Sequence, residues 1–319
     1  KIIENMPVIS RALFSPKGIV SVIKKYMWFK RFVQAEHKVE NFDRIYVNTL
    51  ACSGFLPALS HLKVPIFTHV HEILERPQIV AKITARLAFK YSDTVISVSK
   101  AVQNNLHRLC KNRKGKSIIV HNGIHPIVCP ISQKDKHLSF YLFGRIKPEK
   151  GQWYLIDALA QIPKAELKGV RFNLVGGVLK GKEFLMDSLM EKIKANGLEE
   201  YIIIKGFSKD ISGEMSKADV CLIPSLMKDP FPTTVLEAMS AGKAIITSDT
   251  GGAKEAIQHM YNGFVIPSDQ PVVFANIIRK LISDRALIHS IGKNAKASFN
   301  SNFTTEHFNE RWLAALNVA

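Results

Sequence analysis

Cysteine is scarce in this 319-residue sequence, and the four present are scattered. None of them forms a C-x-x-C pair, which disfavours a cysteine-based zinc site and indicates reduced thiols. No apolar run reaches the roughly 18 residues that span a bilayer. Internal repeats, low-complexity tracts and signatures of RRM, KH or C2H2 modules are also missing, so we expect no nucleic-acid partner.

Acidic residues are in the minority, with 27 Asp and Glu against 44 Lys and Arg, for a formal net charge of +17. Such an excess favours an anionic partner, which could be an acidic lipid or a phosphorylated substrate. Hydrophobic residues make up 46% and charged residues 22%, as in folded proteins. The length leaves room for two domains of ordinary size.

Two series of short β-rich runs alternate with helical stretches of about 10–15 residues, the spacing of βαβ units in a parallel sheet. The first series is Arg44–Val47, Pro65–Thr68, Asp93–Val98 and Ser117–Val120. The second is Ser139–Phe143, Arg171–Val175, Tyr201–Lys205, Val220–Pro224, Ala244–Thr247 and Phe264–Ile266. A polar, proline-containing segment from Asn122 to Lys136 lies between them and is typical of a linker. We therefore predict an α/β protein with two Rossmann-like domains and a cleft between them.

The most informative segment begins at Asp229 and carries a second carboxylate, Glu237, eight positions later. The first lies in a predicted loop and the second just inside a predicted helix. A buried strand and a glycine-marked turn at Gly251-Gly252 follow, where we expect close backbone approach. Helix start, strand and glycine turn are the parts from which α/β proteins build a nucleotide-phosphate site.

Two cations follow the first strand of the second series, in the run Gly144-Arg145-x4-Lys150-Gly151. They lie at a predicted helix start, where backbone N–H groups also point outward. Arginine presents a bidentate fork to phosphate and lysine a mobile point charge. The alternative is a pair of solvated surface cations.

Several motifs, taken in order, resemble the retaining GT-B glycosyltransferases of family 4 over roughly residues 43 to 315. Besides the acid-x7-acid pair and the Gly-Arg-x4-Lys-Gly run, they are His69-Val-His71-Glu72, Ser92–Ser99, Val120–Ile124, Leu174–Gly177, Ala218-Asp219 and Tyr261–Phe264. The family usually has Glu where Asp229 stands, and Asp where His125 stands.

The resemblance implies an enzyme that moves a sugar, with retention, from a nucleotide-diphospho-sugar such as a UDP- or GDP-sugar. The net charge of +17 and a basic aromatic helix near the start of the sequence favour a lipid-linked acceptor, and we expect a glycan or a polyprenyl-linked molecule in the synthesis of a surface polysaccharide or lipopolysaccharide. No D-x-D motif occurs, so we expect no metal and no other cofactor. Arg145 and Lys150 would then stabilise the leaving diphosphate in a closed cleft.

By the same resemblance Asp229 would accept hydrogen bonds from donor sugar hydroxyls, and Glu237 would hold the donor ribose. Thr234-x-x-Glu237 is also a good capping box, which leaves a purely structural interpretation of Glu237 open. The remaining donor-binding positions are expected to be Gly144, Gly206, Phe231, Pro232, Thr233 and Thr234. The amides of Phe231, Thr233 and Thr234 would meet phosphate and sugar oxygens, and Pro232 would stiffen the loop.

On the acceptor side the candidate is His71, at a strand end facing the predicted cleft. His69 lies two positions earlier and hence on the same face of the strand. A metal site at the pair lacks a third ligand at suitable spacing, whereas a structural histidine remains an alternative.

We predict three segments: residues 1–128 as an incomplete acceptor-side domain, 129–300 as the donor domain, and 301–319 as a C-terminal helix. Phe308, Trp312 and Leu316 recur at helical spacing, and the resemblance has this helix crossing back to the first domain; packing on the second is the alternative. The family's first strand and glycine-rich loop do not precede residue 43, and we expect a truncated N-terminus; a naturally reduced first domain is the alternative.

Residues 19–33 read as a helix whose apolar stripe, which includes Ile23, faces the core. Its other side combines Lys24, Lys25 and Arg31 with Trp28 and Phe32, which favours peripheral contact with an anionic membrane. The alternative is a solvated face whose two aromatic residues are covered by further N-terminal structure. The expected location is therefore cytoplasmic, on the inner face of a membrane. Two rival hypotheses are a non-catalytic nucleotide- or lipid-binding relative and a GT-B sugar-nucleotide epimerase.

Overall fold

The computed structural model of the protein describes residues 16–111, 115–130 and 136–317. Its strands are β1 (Ile45–Val47), β2 (Ile66–Val70), β3 (Thr94–Ser97), β4 (Lys116–Ile119), β5 (Leu138–Phe143), β6 (Val170–Val175), β7 (Ile202–Gly206), β8 (Val220–Ile223), β9 (Ala244–Ser248) and β10 (Phe264–Ile266). Its helices are α1 (Pro16–Glu40), α2 (Leu56–Leu59), α3 (Gln78–Tyr91), α4 (Lys100–Leu109), α5 (Gln152–Leu159), α6 (Phe184–Ala195), α7 (Ile211–Ser216), α8 (Thr233–Ser240), α9 (Pro271–Ser283), α10 (Arg285–Asn302) and α11 (Thr305–Asn317).

The chain divides into two compact units. Unit 1 comprises Lys1–His121 and Asn309–Ala319, and unit 2 comprises Asn122–Phe308. The division after His121 lies near the predicted boundary at residue 128, and most of α11 groups with unit 1. Residues 131–135 of the predicted linker lie outside the described part of the chain.

Unit 1 is built on a parallel sheet in the order β1-β2-β3-β4. Every residue of β2 and β3 is buried, as is usual for the strands of a parallel sheet. The Asp93 carboxylate accepts a 2.8 Å hydrogen bond from the amide of Ile66 and so ties the starts of these two strands together. Helix α1 packs through Val33, which is buried, and through Phe29, whose ring meets that of Phe55 edge-on at 4.9 Å.

Unit 2 is built on a six-stranded parallel sheet in the order β10-β9-β8-β5-β6-β7. Its central strand β5 is buried throughout, and Phe140 stacks on Phe172 of β6 with ring centroids 4.9 Å apart. Phe274 of α9 stacks on Tyr154 of α5 and closes one face of the core. Burying a phenylalanine stabilises the fold by roughly 1.5–3 kcal/mol, so this aromatic layer contributes much of the stability of the unit.

All the predicted strands are confirmed, with ends displaced by no more than two residues. The fold class, two parallel-sheet α/β domains, is confirmed as well. The predicted helix at 19–33 lies within α1, but its apolar stripe is wrong at Ile23, whose side chain is 58% exposed. The side chain of Ile19 lies outside the described part of the chain. Within that part, no helix is both long enough and apolar enough to cross a membrane.

Candidate functional site

The strand order of unit 2 creates one place where a ligand would be expected. Strand β5 has β6 on one side and β8 on the other, so the chain reverses its direction of winding between them. In open α/β sheets, ligands bind outside the carboxyl ends of the strands at such a reversal. Strand β5 ends at Phe143 and β8 at Ile223, so the loops 144–151 and 224–232 both begin there.

The loop after β5 presents Arg145 and Lys150. Arg145 is exposed, and its carbonyl accepts a 3.0 Å hydrogen bond from the buried Gln152 amide of α5. Gly151 has φ +87°, and a Cβ there would overlap with the carbonyl of Pro224. Only glycine therefore allows this turn to lie against the loop that follows β8, which fixes the position of the neighbouring Lys150.

The loop after β8 is held from both sides. The Glu149 carbonyl accepts hydrogen bonds from the amide of Leu226 at 2.9 Å and the hydroxyl of Ser225 at 3.1 Å. On the other side the amide of Gly252 donates to the Asp229 carbonyl at 2.8 Å, and Gly251, with φ +62°, packs directly on the Asp229 backbone. The expected close approach at this glycine pair is confirmed, and Asp229 is thereby fixed in place.

Lys150 and Asp229 form an ion pair across these loops, with Nζ and Oδ2 separated by 3.2 Å. The side chains are 29% and 22% exposed. A pair this accessible contributes about 1 kcal/mol or less to stability, so an anionic ligand can compete for the lysine. We predicted separate roles for the two side chains, Lys150 on the diphosphate and Asp229 on the sugar. Nothing in the sequence indicated that they contact each other.

Glu237 lies further inside α8 than a capping residue would. The helix begins at Thr233, its N-cap is Pro232, and no side chain caps it. Glu237 is therefore the fifth helical residue, and the capping-box alternative is wrong. Burial raises the pKa of the Glu237 carboxyl above its usual range, while a hydrogen bond with the Thr233 side chain opposes part of that rise.

The start of α8 brings together the other predicted donor-binding residues. Pro232 immediately precedes the helix, Thr233 and Thr234 lie in its first turn, and Phe231 is buried with its ring against that of Phe303. The first amides of a helix have no partner within it and carry a partial positive charge. They therefore supply anion-binding groups close to Asp229.

Gly206 is connected to this edge by a row of backbone contacts. The amide of Gly176 donates to the Gly206 carbonyl at 2.7 Å, and a Cβ at Gly176 would overlap with the carbonyl of Gly144. Gly144, Gly176 and Gly206 thus line the ends of β5, β6 and β7. Gly206 is two strands away from β5, at the edge of the sheet.

In unit 1, His71 follows β2 and belongs to a polar cluster that sequence analysis missed. The carboxamide oxygen of Asn48 lies 2.7 Å from Nε2 of His71 and 2.8 Å from the Tyr46 hydroxyl. Nδ1 of His69 lies 2.8 Å from that hydroxyl and 3.1 Å from Nε2 of His71. The ring of Trp312 in α11 packs against those of Tyr46 and His69, with ring centroids 5.1 Å and 5.0 Å apart respectively.

This cluster determines which nitrogen of His71 carries the proton. The Asn48 oxygen can only accept, so His71 donates to it from Nε2. Nδ1 of the neutral ring is then left as an acceptor. Burial lowers the pKa of His71, although the charge of Glu72 opposes the shift. Burial, reinforced by His71, lowers the pKa of His69 to about 3.

Glu72 anchors the loop that carries Asn48. Its carboxylate accepts hydrogen bonds from the Thr49 hydroxyl and from the amides of His71, at 3.1 Å, and Leu50, at 3.4 Å. His69 and His71 do share one face, with ring centroids 4.0 Å apart. Among the described residues no cluster of His, Cys, Asp and Glu could hold a metal ion.

Comparison with known protein families places both halves of the chain. Residues 130–298 match the family of glycosyl transferases group 1, and residues 6–127 match Glycosyltransferase Family 4. An uncharacterized glycosyltransferase of Methanocaldococcus jannaschii is 28% identical over 315 residues, covering 96% of this chain and 81% of that protein.

Two further proteins are similar. The crystal structure of HepE from Anabaena in complex with UDP has 28% sequence identity and a TM-score of 0.81, covering 91% of this chain and 81% of that one. A second HepE structure, with UDP-glucose, matches at 27% identity. The UDP-Gal:alpha-D-GlcNAc-diphosphoundecaprenol alpha-1,3-galactosyltransferase of Escherichia coli is 26% identical over 168 residues, 51% of this chain and 41% of that protein.

Proposed function

The chain belongs to the glycosyltransferase group 1 family, and from that premise we propose that it transfers a sugar from a nucleotide-diphospho-sugar, with retention and without a metal ion. The observation that carries this proposal is the convergence of Arg145, Lys150 and the start of α8 at the β5/β8 reversal, with Asp229 and Glu237 beside them. Cations and helix amides there suit a diphosphate, and the two carboxylates suit hydroxyl groups.

In the proposed reaction the bond between the anomeric carbon and the β-phosphate oxygen breaks, and the acceptor oxygen bonds to the same face of that carbon. The acceptor proton goes to the departing phosphate. Arg145, Lys150 and the first amides of α8 stabilise the charge that develops on the diphosphate. Glu237 holds the ribose through its two carboxylate oxygens, and Asp229 accepts from a hydroxyl of the sugar.

His71 would act on the acceptor side. Its lowered pKa keeps the ring neutral near pH 7, and its Nδ1 is then an acceptor for a substrate hydroxyl. Asn48, Tyr46 and His69 act through His71 by holding its orientation and its tautomer. We assign these three to positioning, not to contact with substrate.

For the substrates we propose a UDP-sugar donor and a lipid-linked glycan acceptor at the cytosolic surface of a membrane. The HepE complexes with UDP and UDP-glucose support the choice of donor, and the acceptor named for the Escherichia coli relative supports the lipid carrier. Helix α1 supports a peripheral membrane contact, because the exposed Trp28 stacks on Phe32 at 5.3 Å and Lys24 and Arg31 are exposed beside them.

The proposal is tested by calorimetric titration of UDP-glucose into wild type and Glu237→Gln. A glutamine keeps the shape but only one acceptor oxygen, and losing a hydrogen bond to a charged group costs about 1.5–3 kcal/mol. We expect roughly a tenfold to hundredfold weaker affinity. The control is Glu191→Gln, an exposed glutamate of α6. Equal affinity of Glu237→Gln and wild type would contradict the proposed ribose contact.

A further inference from the structure

A groove of about 700 Å³ between α3 and α4 in unit 1 has no role in the proposed transfer. Its polar lining consists of cations, and among the described residues that line it there is no carboxylate. Those cations are Lys82, Arg86, Lys90, Arg108 and Lys111. Its apolar floor is made by Phe89, Leu109 and Cys110, which are buried.

The outer face of α3 has an unusual combination of side chains. Ile79 is 70% exposed and Ile83 is 48% exposed, and Lys82, Arg86 and Lys90 are exposed as well. At 3.6 residues per turn these five positions fall within an arc of about 100°. Neither α3 nor α4 contains Asp or Glu.

We propose that this face of α3, with the groove beside it, is the docking surface of the protein on a bilayer that contains anionic phospholipids. The headgroup phosphates would occupy the cationic groove, and Ile79 and Ile83 would enter the boundary between headgroups and acyl chains. Exposed apolar side chains that enter the interface, beside cations that meet anionic headgroups, supply the two contributions to binding at an anionic membrane surface. Exposed isoleucine side chains would contribute nothing to the binding of a soluble anion.

A purely structural explanation accounts for part of this surface but not all of it. Lys90 and Arg108 lie in the last turns of α3 and α4, where a cation favours the helix dipole. Lys82, Arg86 and the two isoleucines lie outside that last turn. Their exposure on one face therefore needs another explanation, and an anionic membrane complements both the charge and the apolar groups.

The inference extends the proposed membrane contact from α1 to α3 but does not depend on donor chemistry. Binding of the full chain is measured by co-sedimentation with vesicles of phosphatidylcholine alone or of phosphatidylcholine with phosphatidylglycerol. We compare wild type, Lys82→Gln/Arg86→Gln/Lys90→Gln and Ile79→Ser/Ile83→Ser. The matched control is Lys168→Gln/Lys209→Gln/Lys293→Gln, which removes the same charge from exposed positions of unit 2.

Wild type and the control should bind the anionic vesicles and not the neutral ones. A basic residue near an anionic surface strengthens binding about fivefold, so the α3 triple variant should bind roughly 100-fold more weakly. The isoleucine pair should also weaken binding while leaving its salt dependence in place. All variants should bind UDP-glucose equally in calorimetry, which separates failure of this inference from failure of the proposed function.

Several outcomes would overturn the inference. Equal loss in both triple variants would assign vesicle binding to net charge alone. Loss in Trp28→Ser with no loss in the α3 variants would assign it to α1. Inorganic phosphate that competes better than chloride at the same ionic strength would identify a soluble-anion site, and competition by an RNA oligonucleotide would identify a nucleic-acid surface.

Discussion

At the scale of single residues, the ion pair between Lys150 and Asp229 connects the two halves of the proposed donor site. Both side chains are partly exposed, so the pair is weak enough for the diphosphate to take over Lys150. In the proposed donor complex Asp229 would then turn towards the sugar. Each member should therefore affect a different part of the donor.

The roles of Lys150 and Asp229 can be separated by measuring the affinity of each variant for UDP and for UDP-glucose. Lys150→Ala should weaken both by roughly tenfold or more, because a charge-assisted hydrogen bond to phosphate is lost. Asp229→Asn should leave UDP as tight as before, or tighter, and weaken only UDP-glucose. Calorimetric affinities for the two ligands give the result. If Asp229→Asn weakened UDP as much as UDP-glucose, Asp229 would only be positioning Lys150.

His69 carries a prediction about stability and pH. Its pKa is about 3 in the folded protein and about 6.5 when unfolded, so between these values only the unfolded chain takes up the proton. The contribution of neutral His69 to stability is complete above pH 6.5. It falls by up to roughly 1.4 kcal/mol per pH unit as the pH drops towards 3.

The measurement is the free energy of unfolding in urea at several pH values. His69→Gln should flatten the dependence between pH 6.5 and 3, whatever its effect at neutral pH, and the exposed His289→Gln should not. An unchanged slope in His69→Gln would mean that His69 takes up its proton in the folded state as well.

The sequence indicated the residues of the proposed donor site but not the cluster around His71, and the reason is physical. Arg145, Lys150, Asp229 and Glu237 follow buried strands, and the ends of parallel strands meet at one edge. The contacts of His71 with Asn48, and of His69 with Trp312, join residues far apart in the chain, and no local pattern indicates such pairs. These contacts could be inferred only once the positions of β1, β2 and α11 relative to one another were known.

At the scale of secondary structure, the glycine turns hold the site together. Gly151 and Gly169 both have positive φ, at +87° and +77°. A Cβ at Gly151 would overlap with the carbonyl of Pro224, whereas a Cβ at Gly169 would meet nothing within 4 Å. Substitution at either position strains the backbone, but only Gly151 adds a collision.

Gly151→Ala should therefore be less stable than Gly169→Ala by roughly 1–3 kcal/mol, the usual cost of overpacking. It should also weaken UDP binding, because relief of the collision displaces the neighbouring Lys150, while Gly169→Ala should bind UDP normally. Urea unfolding and calorimetry provide the two readouts. Equal stability of the two variants would mean that the loops after β5 and β8 are not packed against each other.

Strands were predicted better than helices. Buried parallel strands read as continuous apolar runs bounded by turn residues, so β1 to β10 could be located to within two residues. Helix α1 extends to Glu40, beyond the predicted end at residue 33. The prediction ended too early because the last turns of the helix are mostly polar and do not continue the apolar stripe. The capping box with Thr234 as N-cap was wrong because the helix begins at Thr233, two residues earlier than that cap would allow.

At the scale of the whole molecule, the net charge of +17 indicated an anionic partner but not its position. The structure separates two cationic regions, one at the β5/β8 reversal of unit 2 and one along α3 and α4 of unit 1. We assign the first to a diphosphate and the second to a lipid surface. A sum of charges cannot distinguish one concentrated site from two.

The proposed transfer depends above all on a diphosphate held by cations and helix amides, with no metal ion. The direct measurement is a crystal structure of the protein soaked with UDP-glucose in the presence of EDTA. We predict density for the diphosphate within hydrogen-bonding distance of Arg145, Lys150 and the first turn of α8, and for the ribose on Glu237. A donor bound elsewhere, or one that binds only when a divalent ion is supplied, would contradict this metal-independent site.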